Sequence, residues 1–412
     1  MYDFIASKRT VILGGTETTY VKLILSVSIK EQNMIIIVFI VAMILIFVFI
    51  FIIFFLIAKH QNNQKTEMDV LNFLIENPSK ASLYMIKNGM VKISYNSEIK
   101  MPLASTAKVI IAIEFARQVA AKLLDEHELV ALEELNKFYI PSSDGNAHNN
   151  WIKWIKSNHK EVQGKITLFE IARGMLAYSS NANTEFLIAR MGLSEINDNI
   201  IKLSLSSHDK IFPFSSAGLM SSYIQETEKM CFKESIQKIS EMTYEEYMKK
   251  SSEIHQILNS DERIGCIQKW NTKQIYTRRL QVLQSRRLPR STTKEYAHIM
   301  KLIHKEELVP SSINPYLKLL VQRQVNNSKL IEFGNKGGST ISVLTEALYC
   351  TDREGNEFQI AMFIQDESGV DHIWLKQKLD LFFYKLLTDT EFQEEVSSKL
   401  TYDKGRSDCF IQ

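Results

Sequence analysis

The longest hydrophobic stretch of this 412-residue chain covers residues 34–58, which carry no charge and are aliphatic or Phe almost throughout. A helix of that length crosses a bilayer core of roughly 30 Å, and it lacks the polar stripe that a core helix of a soluble domain keeps. It exceeds the 7 to 15 residues, roughly, of a secretion-signal core and no small-residue cleavage pattern follows, so a retained single-pass anchor is expected. Lys8, Arg9, Lys22 and Lys30 precede it, while Lys59 and Lys65 follow. That bias predicts an inside N-terminus and a following domain on the extracytoplasmic side of the cell membrane.

Beyond the span the pattern changes period. Residues 82–86 and 91–95 read as strands, residues 109–113 (Val-Ile-Ile-Ala-Ile) open a buried helix, and an amphipathic segment starts near Ile166. From about residue 185 to 324 the pattern is mainly helical, including an amphipathic run to His304 that follows Ser291-Thr292-Thr293. Two further strand-like runs, 343–350 and 358–364, flank Asp352-Arg353-Glu354-Gly355, which is a hairpin signal. Strands at both ends with helices between predict one α/β domain: an antiparallel sheet flanked by helices, plus an all-helical subdomain inserted between the strands. The expected organisation is a cytoplasmic tail over 1–33, the anchor over 34–58, a linker over 59–70, a catalytic domain over 71–400 and a C-terminal tail over 401–412.

Composition narrows the chemistry. Net charge is +2 with 23% charged residues, so charge gives no argument for a nucleic-acid partner. Cys231, Cys266, Cys350 and Cys409 show no C-x-x-C spacing, which leaves room for one bridge but not for a zinc site or a dense disulfide framework. The nine histidines include no H-E-x-x-H, so a metallo-hydrolase is a poor reading. No metal or other cofactor is implied. The basic cluster Arg278, Arg279, Arg286, Arg287 and Arg290 reads first as a solvated helical face and second as a contact for anionic lipid or cell-wall polymer.

Three short motifs stand in a fixed order: Ser105-Thr106-Ala107-Lys108, Ser179-Ser180-Asn181 and Lys336-Gly337-Gly338-Ser339. S-x-x-K recurs at Ser97, Ser157, Ser207, Ser235 and Ser291, and context separates them. Ser105 alone follows two strand-like runs and opens a long apolar helix, with Pro102 just upstream. On a helix, i and i+3 share a face, which puts Lys108 within hydrogen-bond reach of the Ser105 hydroxyl. A serine needs an adjacent base, and a lysine serves only if burial and nearby positive charge make it give up its proton. Lys336 supplies that charge in this reading, and the backbone amides of Ser105 and Ser339 form an oxyanion hole. Ser179 relays a proton between Lys108 and the leaving group, and Asn181 holds Lys108 and a substrate carbonyl. The plain alternative for the second motif is that Ser and Asn only cap the next helix. The plain alternative for the third is an ordinary glycine bulge, whereas glycines in an edge strand also admit a substrate lying alongside as an extra strand.

Taken together, 102–108 (Pro-Leu-Ala-Ser-Thr-Ala-Lys), Tyr178-Ser179-Ser180-Asn181 and Asn335-Lys336-Gly337-Gly338-Ser339 resemble the class A β-lactamase-like serine hydrolases, in the superfamily that includes D-alanyl-D-alanine peptidases. The resemblance covers roughly residues 71–387. It implies a β-lactamase/transpeptidase-like fold and an acyl-enzyme mechanism. Ser105 becomes the nucleophile, Lys108 its base, Ser179 a catalytic partner, and Asn181, Lys336, Gly337, Gly338 and Ser339 the substrate-binding residues.

Two departures matter. Gly337 stands where the family usually has Thr or Ser, so a hydroxyl that binds a substrate carboxylate is missing, with Ser339 or Thr340 as substitutes. The family's deacylating glutamate also has no counterpart: Glu134-Leu135-Asn136 lies before Ser179, and residues 212–218 contain no acid. Glu226, Glu228 and the pair His208-Asp209 are the remaining candidates. Losing one general base typically costs about a hundredfold to ten-thousandfold. The expected function is a membrane-anchored hydrolase cleaving an amide of a β-lactam or of a D-Ala-terminated, peptidoglycan-type peptide. The alternatives are a penicillin-binding sensor or scaffold without turnover, and an esterase on the same fold.

Overall fold

The computed structural model describes residues 17–402 apart from 142, 271, 326 and 327. Two compact units divide at Lys65 and Thr66. The first is the helix Glu17–Gln64, within which 33–64 form an apolar stretch long enough to cross a membrane. The linker expected over 59–70 is therefore helical through Gln64, and a second helix, Glu67–Glu76, opens the second unit. Asp69 caps that helix by accepting from the Thr66 amide at 2.8 Å, and it buries Val70, Leu71, Phe73 and Leu74. Much of the expected tails, 1–16 and 403–412, lies outside the described residues.

Five strands form the sheet of the second unit: β1 (Ala81–Lys87), β2 (Met90–Tyr95), β3 (Leu330–Ser339), β4 (Val343–Asp352) and β5 (Glu357–Gln365). Their order is β2-β1-β5-β4-β3, antiparallel throughout. The expected hairpin about residues 352–355 joins β4 to β5, and the two strands expected over 82–86 and 91–95 also pair as a hairpin. Asn88 and Gly89, at φ 51° and 78°, make the tight turn between β1 and β2, the left-handed pair that matches strand twist.

Alternation along the strands sends side chains into two cores. Leu83, Met85, Leu348, Ile360 and Met362 face the terminal helices Glu67–Glu76, His372–Thr388 and Thr390–Tyr402. Tyr84, Ile86, Ala347, Tyr349, Ala361 and Phe363 face a core shared with the helices Lys108–Ala120 and Thr293–His304. The former helix is buried almost all round, from Val109 to Val119, as its apolar run requires. Each fully buried Leu, Ile or Phe contributes about 1.5–3 kcal/mol, so this helix is a fixed post for whatever its N-terminus carries.

A third core, with Phe212, Met220, Tyr247, Ile254 and Leu280, belongs to the expected all-helical subdomain. Its extent differs from the sequence reading. Phe138 and Ile140 join it from upstream, whereas Thr293–His304 leaves it and covers the sheet, because the apolar face of that helix packs on β4 and β5. Cys231, Cys266 and Cys350 are free thiols.

Candidate active site

Ser105 lies in a single 3-10 turn, Ala104–Ala107, that leads into the helix Lys108–Ala120. Three contacts sew this turn to the sheet. Thr345 Oγ1 donates to Leu103 O at 2.8 Å, the Thr106 and Thr345 hydroxyls meet at 2.6 Å, and Thr106 Oγ1 donates to Lys336 O at 3.4 Å. β3 comes so close that a Cβ on Gly338 would fall 2.7 Å from the Ser105 nitrogen and 2.8 Å from Leu103 O. A glycine at 338 is thus a requirement of the close approach of strand and turn.

The second motif follows a π-helical turn, Gly174–Tyr178. Ser179 closes it at φ 67°, a left-handed conformation that costs a non-glycine residue about 1 kcal/mol or more and marks a position held by its surroundings. Capping and cleft roles are divided between neighbours. Ser180 Oγ caps the helix Asn181–Met191 by accepting from the Asn183 amide at 3.3 Å, and it also bonds Asn183 Oδ1 and the His148 ring. Ser179 and Asn181, on either side of it, are the residues that line the cleft.

Lys108 is fully buried, and its Nζ donates to Ser179 O at 2.7 Å, Asn181 Oδ1 at 2.8 Å and Ser179 Oγ at 3.3 Å. These bonds use the three donors of an ammonium. The bond expected between Lys108 and Ser105 is accordingly not among them, although the two residues stand one turn apart as the motif requires. On the other side of Ser179, Lys336 Nζ donates to its Oγ at 3.1 Å and to Gly337 O at 2.6 Å. Ser179 Oγ therefore sits between two buried amines.

Burial, and then the Lys336 charge, hold the Lys108 ammonium well below the ordinary lysine value; Asp144 and Glu185 oppose the shift. Lys336 is brought down to about 8, mainly by burial, with Glu346 opposing and Arg323 assisting. Two amines that share one hydroxyl and are both held below the ordinary lysine value can exchange a proton through it.

The cleft is about 790 Å³ and is lined by Ser105, Ser179, Asn181, Gly337, Gly338, Ser339 and Thr340, together with Asp144 and Phe214. Thus the structure brings the three motifs together around one cavity. Thr340 Oγ1 accepts from Ser285 at 2.8 Å and Ser339 Oγ from Lys376 at 3.3 Å, so both substitute hydroxyls for position 337 are at the wall.

Other candidates go elsewhere. His208 is buried between its own loop and Tyr296, bonding Asp209 O at 2.6 Å and the Tyr296 hydroxyl at 3.0 Å, and burial lowers it to about 4. Asp209 pairs with Lys100 at 2.5 Å. Glu226 and Glu228 pair with Lys229 and Lys238, and Glu134 with Lys137. Four of the five arginines of the basic cluster are engaged within the fold: Arg278 donates to Glu367 O and Ser368 O, Arg286 pairs with Glu367, Arg287 holds Met242 O, and Arg290 holds Lys100 O, while Arg279 is exposed.

Sequence reasoning passed over several residues. Asp144, in the polar turn Ser143-Asp144-Gly145, lines the cleft and accepts from the His148 and Asn181 amides at 3.0 and 3.4 Å. Arg323 ties two motifs together, donating to Leu176 O at 3.1 Å and Asn335 O at 2.9 Å. Glu185, fully buried, accepts from the Ser215 amide at 2.8 Å, Ser216 Oγ at 2.6 Å and the His255 ring at 2.7 Å, and so fixes the acid-free segment. Glu346 is a charge in the otherwise buried alternation of β4, which was a readable signal.

An antiparallel five-stranded sheet, helices on both faces and an S-x-x-K turn facing a helical lobe define a β-lactamase-type serine hydrolase architecture. Residues 65–382 match the model of the Beta-lactamase enzyme family, and the chain belongs to that family. None of the curated proteins searched matches it. Among solved structures, a β-lactamase from Sphaerobacter thermophilus is similar at 14% identity and TM-score 0.47, over 77% of this chain and 94% of that one. A class A β-lactamase representative from Bacteroides cellulosilyticus is similar at 14% identity and TM-score 0.45, over 79% and 100%. A structure of PBP-A is similar at 15% identity and TM-score 0.44, over 83% and 98%.

Proposed function

We propose that this chain is a membrane-anchored serine hydrolase that forms an acyl-enzyme on Ser105 with the amide of a β-lactam or of a peptide ending in D-Ala. The observation that carries the reading is the buried Lys108 amine, one turn after Ser105 and held by Ser179 and Asn181, with Lys336 across the Ser179 hydroxyl.

In this scheme neutral Lys108 takes the Ser105 proton as Oγ bonds to the substrate carbonyl carbon. The Ser105 and Ser339 amides stabilise the oxyanion. The C–N bond then breaks, and the leaving nitrogen receives a proton from Ser179, which Lys108 or Lys336 replenishes. Asn181 orients the substrate carbonyl, and the substrate lies along the 337–339 segment of β3, which lines the cleft. Water cleaves the ester in a second step. The apolar helix over 33–64 supports the anchored reading, and the basic bias before it supports an extracytoplasmic catalytic domain.

A second reading, a penicillin-binding sensor without turnover, is favoured by one observation. Of the described residues lining the cleft, the carboxylates are Asp144, Glu346 and Asp380, and none comes from 212–218. Counting turnovers separates the readings. Full-length protein in detergent is mixed with benzylpenicillin, and intact β-lactam is measured over hours. The hydrolase reading predicts several equivalents consumed; consumption that stops at one equivalent supports the sensor, and none at all removes the penicillin-recognising assignment.

A further inference from the structure

Gly337 of β3 pairs with Glu346 of β4, and the space that a side chain at 337 would fill is taken: a Cβ there would lie 2.4 Å from Glu346 Oε2. The carboxylate is held in place by Asn335 Nδ2, which donates to Oε1 at 2.8 Å. It lines the same cleft as Ser105 and Ser339, with Asp380 beside it. A second cavity of about 320 Å³ is also lined by Glu346 and Asp380, together with Asn335 and Leu348.

We propose that Glu346 is a specificity-determining residue of this site: through the gap at Gly337 it offsets the Lys336 charge and turns the cleft from substrates with a free carboxylate toward those whose group at that place is neutral or cationic. This rests on the acyl-enzyme chemistry given above and narrows its substrate class, since the free carboxylate of a penicillin or of a D-Ala terminus would lie against the Glu346 charge. The physical reason is that a carboxylate lying along β3 gains attraction from Lys336 only where no negative charge stands behind the strand. Like charges a few ångströms apart in a partly desolvated site are costly. Burial also pushes Glu346 up to about 7, with Asp380 adding to the rise and Lys336 opposing it, so the opposing charge develops across neutral pH.

The test uses the full-length chain in detergent and two probes, benzylpenicillin and its methyl ester, with Ser105 acylation followed by intact mass. The wild type is expected to acylate faster with the ester. Glu346→Gln keeps an acceptor for Asn335 and removes the charge, and it is expected to raise the acid-to-ester ratio about tenfold, a modest share of what one close charge supplies. Glu346→Ala, which vacates the space, is expected to move the ratio the same way. In the wild type that ratio falls as pH rises through about 7 and again as Lys336 loses its charge near about 8; in Glu346→Gln the first of these falls is absent. An unchanged ratio in both variants, with Ser105 still acylated, overturns the inference and leaves the acyl-enzyme reading standing. No adduct from either probe on any form overturns that reading and the inference with it.

Discussion

Lys336 Nζ donates to Ser179 Oγ at 3.1 Å, and through this hydroxyl the third motif acts on the first. Lys108, on the far side of the same oxygen at 3.3 Å, is buried and depends on Lys336 for part of its lowered basicity. The arrangement gives each residue a distinct experimental signature.

Lys108→Gln is expected to slow acylation of Ser105 by about a hundredfold to ten-thousandfold, the usual contribution of a positioned general base. Lys108→Arg should be no better, because a guanidinium does not give up its proton in this range. Stopped-flow acylation with a chromogenic β-lactam checks both.

The pH profile carries the sign of the Lys336 effect. Acylation by a neutral Lys108 rises as pH increases through its pKa, which burial and Lys336 hold below the ordinary lysine value. Removing the neighbouring positive charge in Lys336→Gln raises that pKa, so the rising limb moves to higher pH. Asp144 acts oppositely, and Asp144→Asn should move the limb to lower pH. A profile measured for the three proteins checks the order.

Gly338→Ala tests how tightly strand and turn are joined. The added Cβ would meet two backbone atoms, Ser105 N at 2.7 Å and Leu103 O at 2.8 Å, neither of which can rotate away. A loss of about 1–3 kcal/mol in stability is expected, as for other overpacked sites, together with slower acylation because the Ser105 amide shifts. Thermal unfolding and acylation rates on the same preparation provide the check.

Much of this was legible in the residues themselves. The apolar span, the four strand-like runs, the β4–β5 hairpin and the helix after Ser105 follow from local periodicity and turn residues, and each motif carries its own backbone signal. What escaped were effects of distance in sequence. His208 next to Asp209 looks like a base until Tyr296 is seen to cover it, and the helix Thr293–His304 looks like part of the helical lobe until it meets β4 and β5. Arg323 and Glu346 become meaningful only when β3 is placed between them. Even the Lys108 to Ser105 bond, sound on helical spacing alone, gives way to Ser179 and Asn181, which arrive from a different part of the chain.

Glu185→Ala is expected to cost about 3–5 kcal/mol, because it removes a fully buried acceptor and leaves Ser215, Ser216 and His255 without their partner. Chemical denaturation of the wild type and variant, followed by fluorescence, reads the difference.

The central claim is that Ser105 takes the acyl group. The most direct measurement is intact-mass analysis of the full-length chain with benzylpenicillin beside Ser105→Ala, followed by peptide mapping of the adduct. The account predicts one adduct on the wild type, on the peptide containing Ser105, and none on the variant. An adduct of equal yield on Ser105→Ala, or one mapped to another serine, would contradict it.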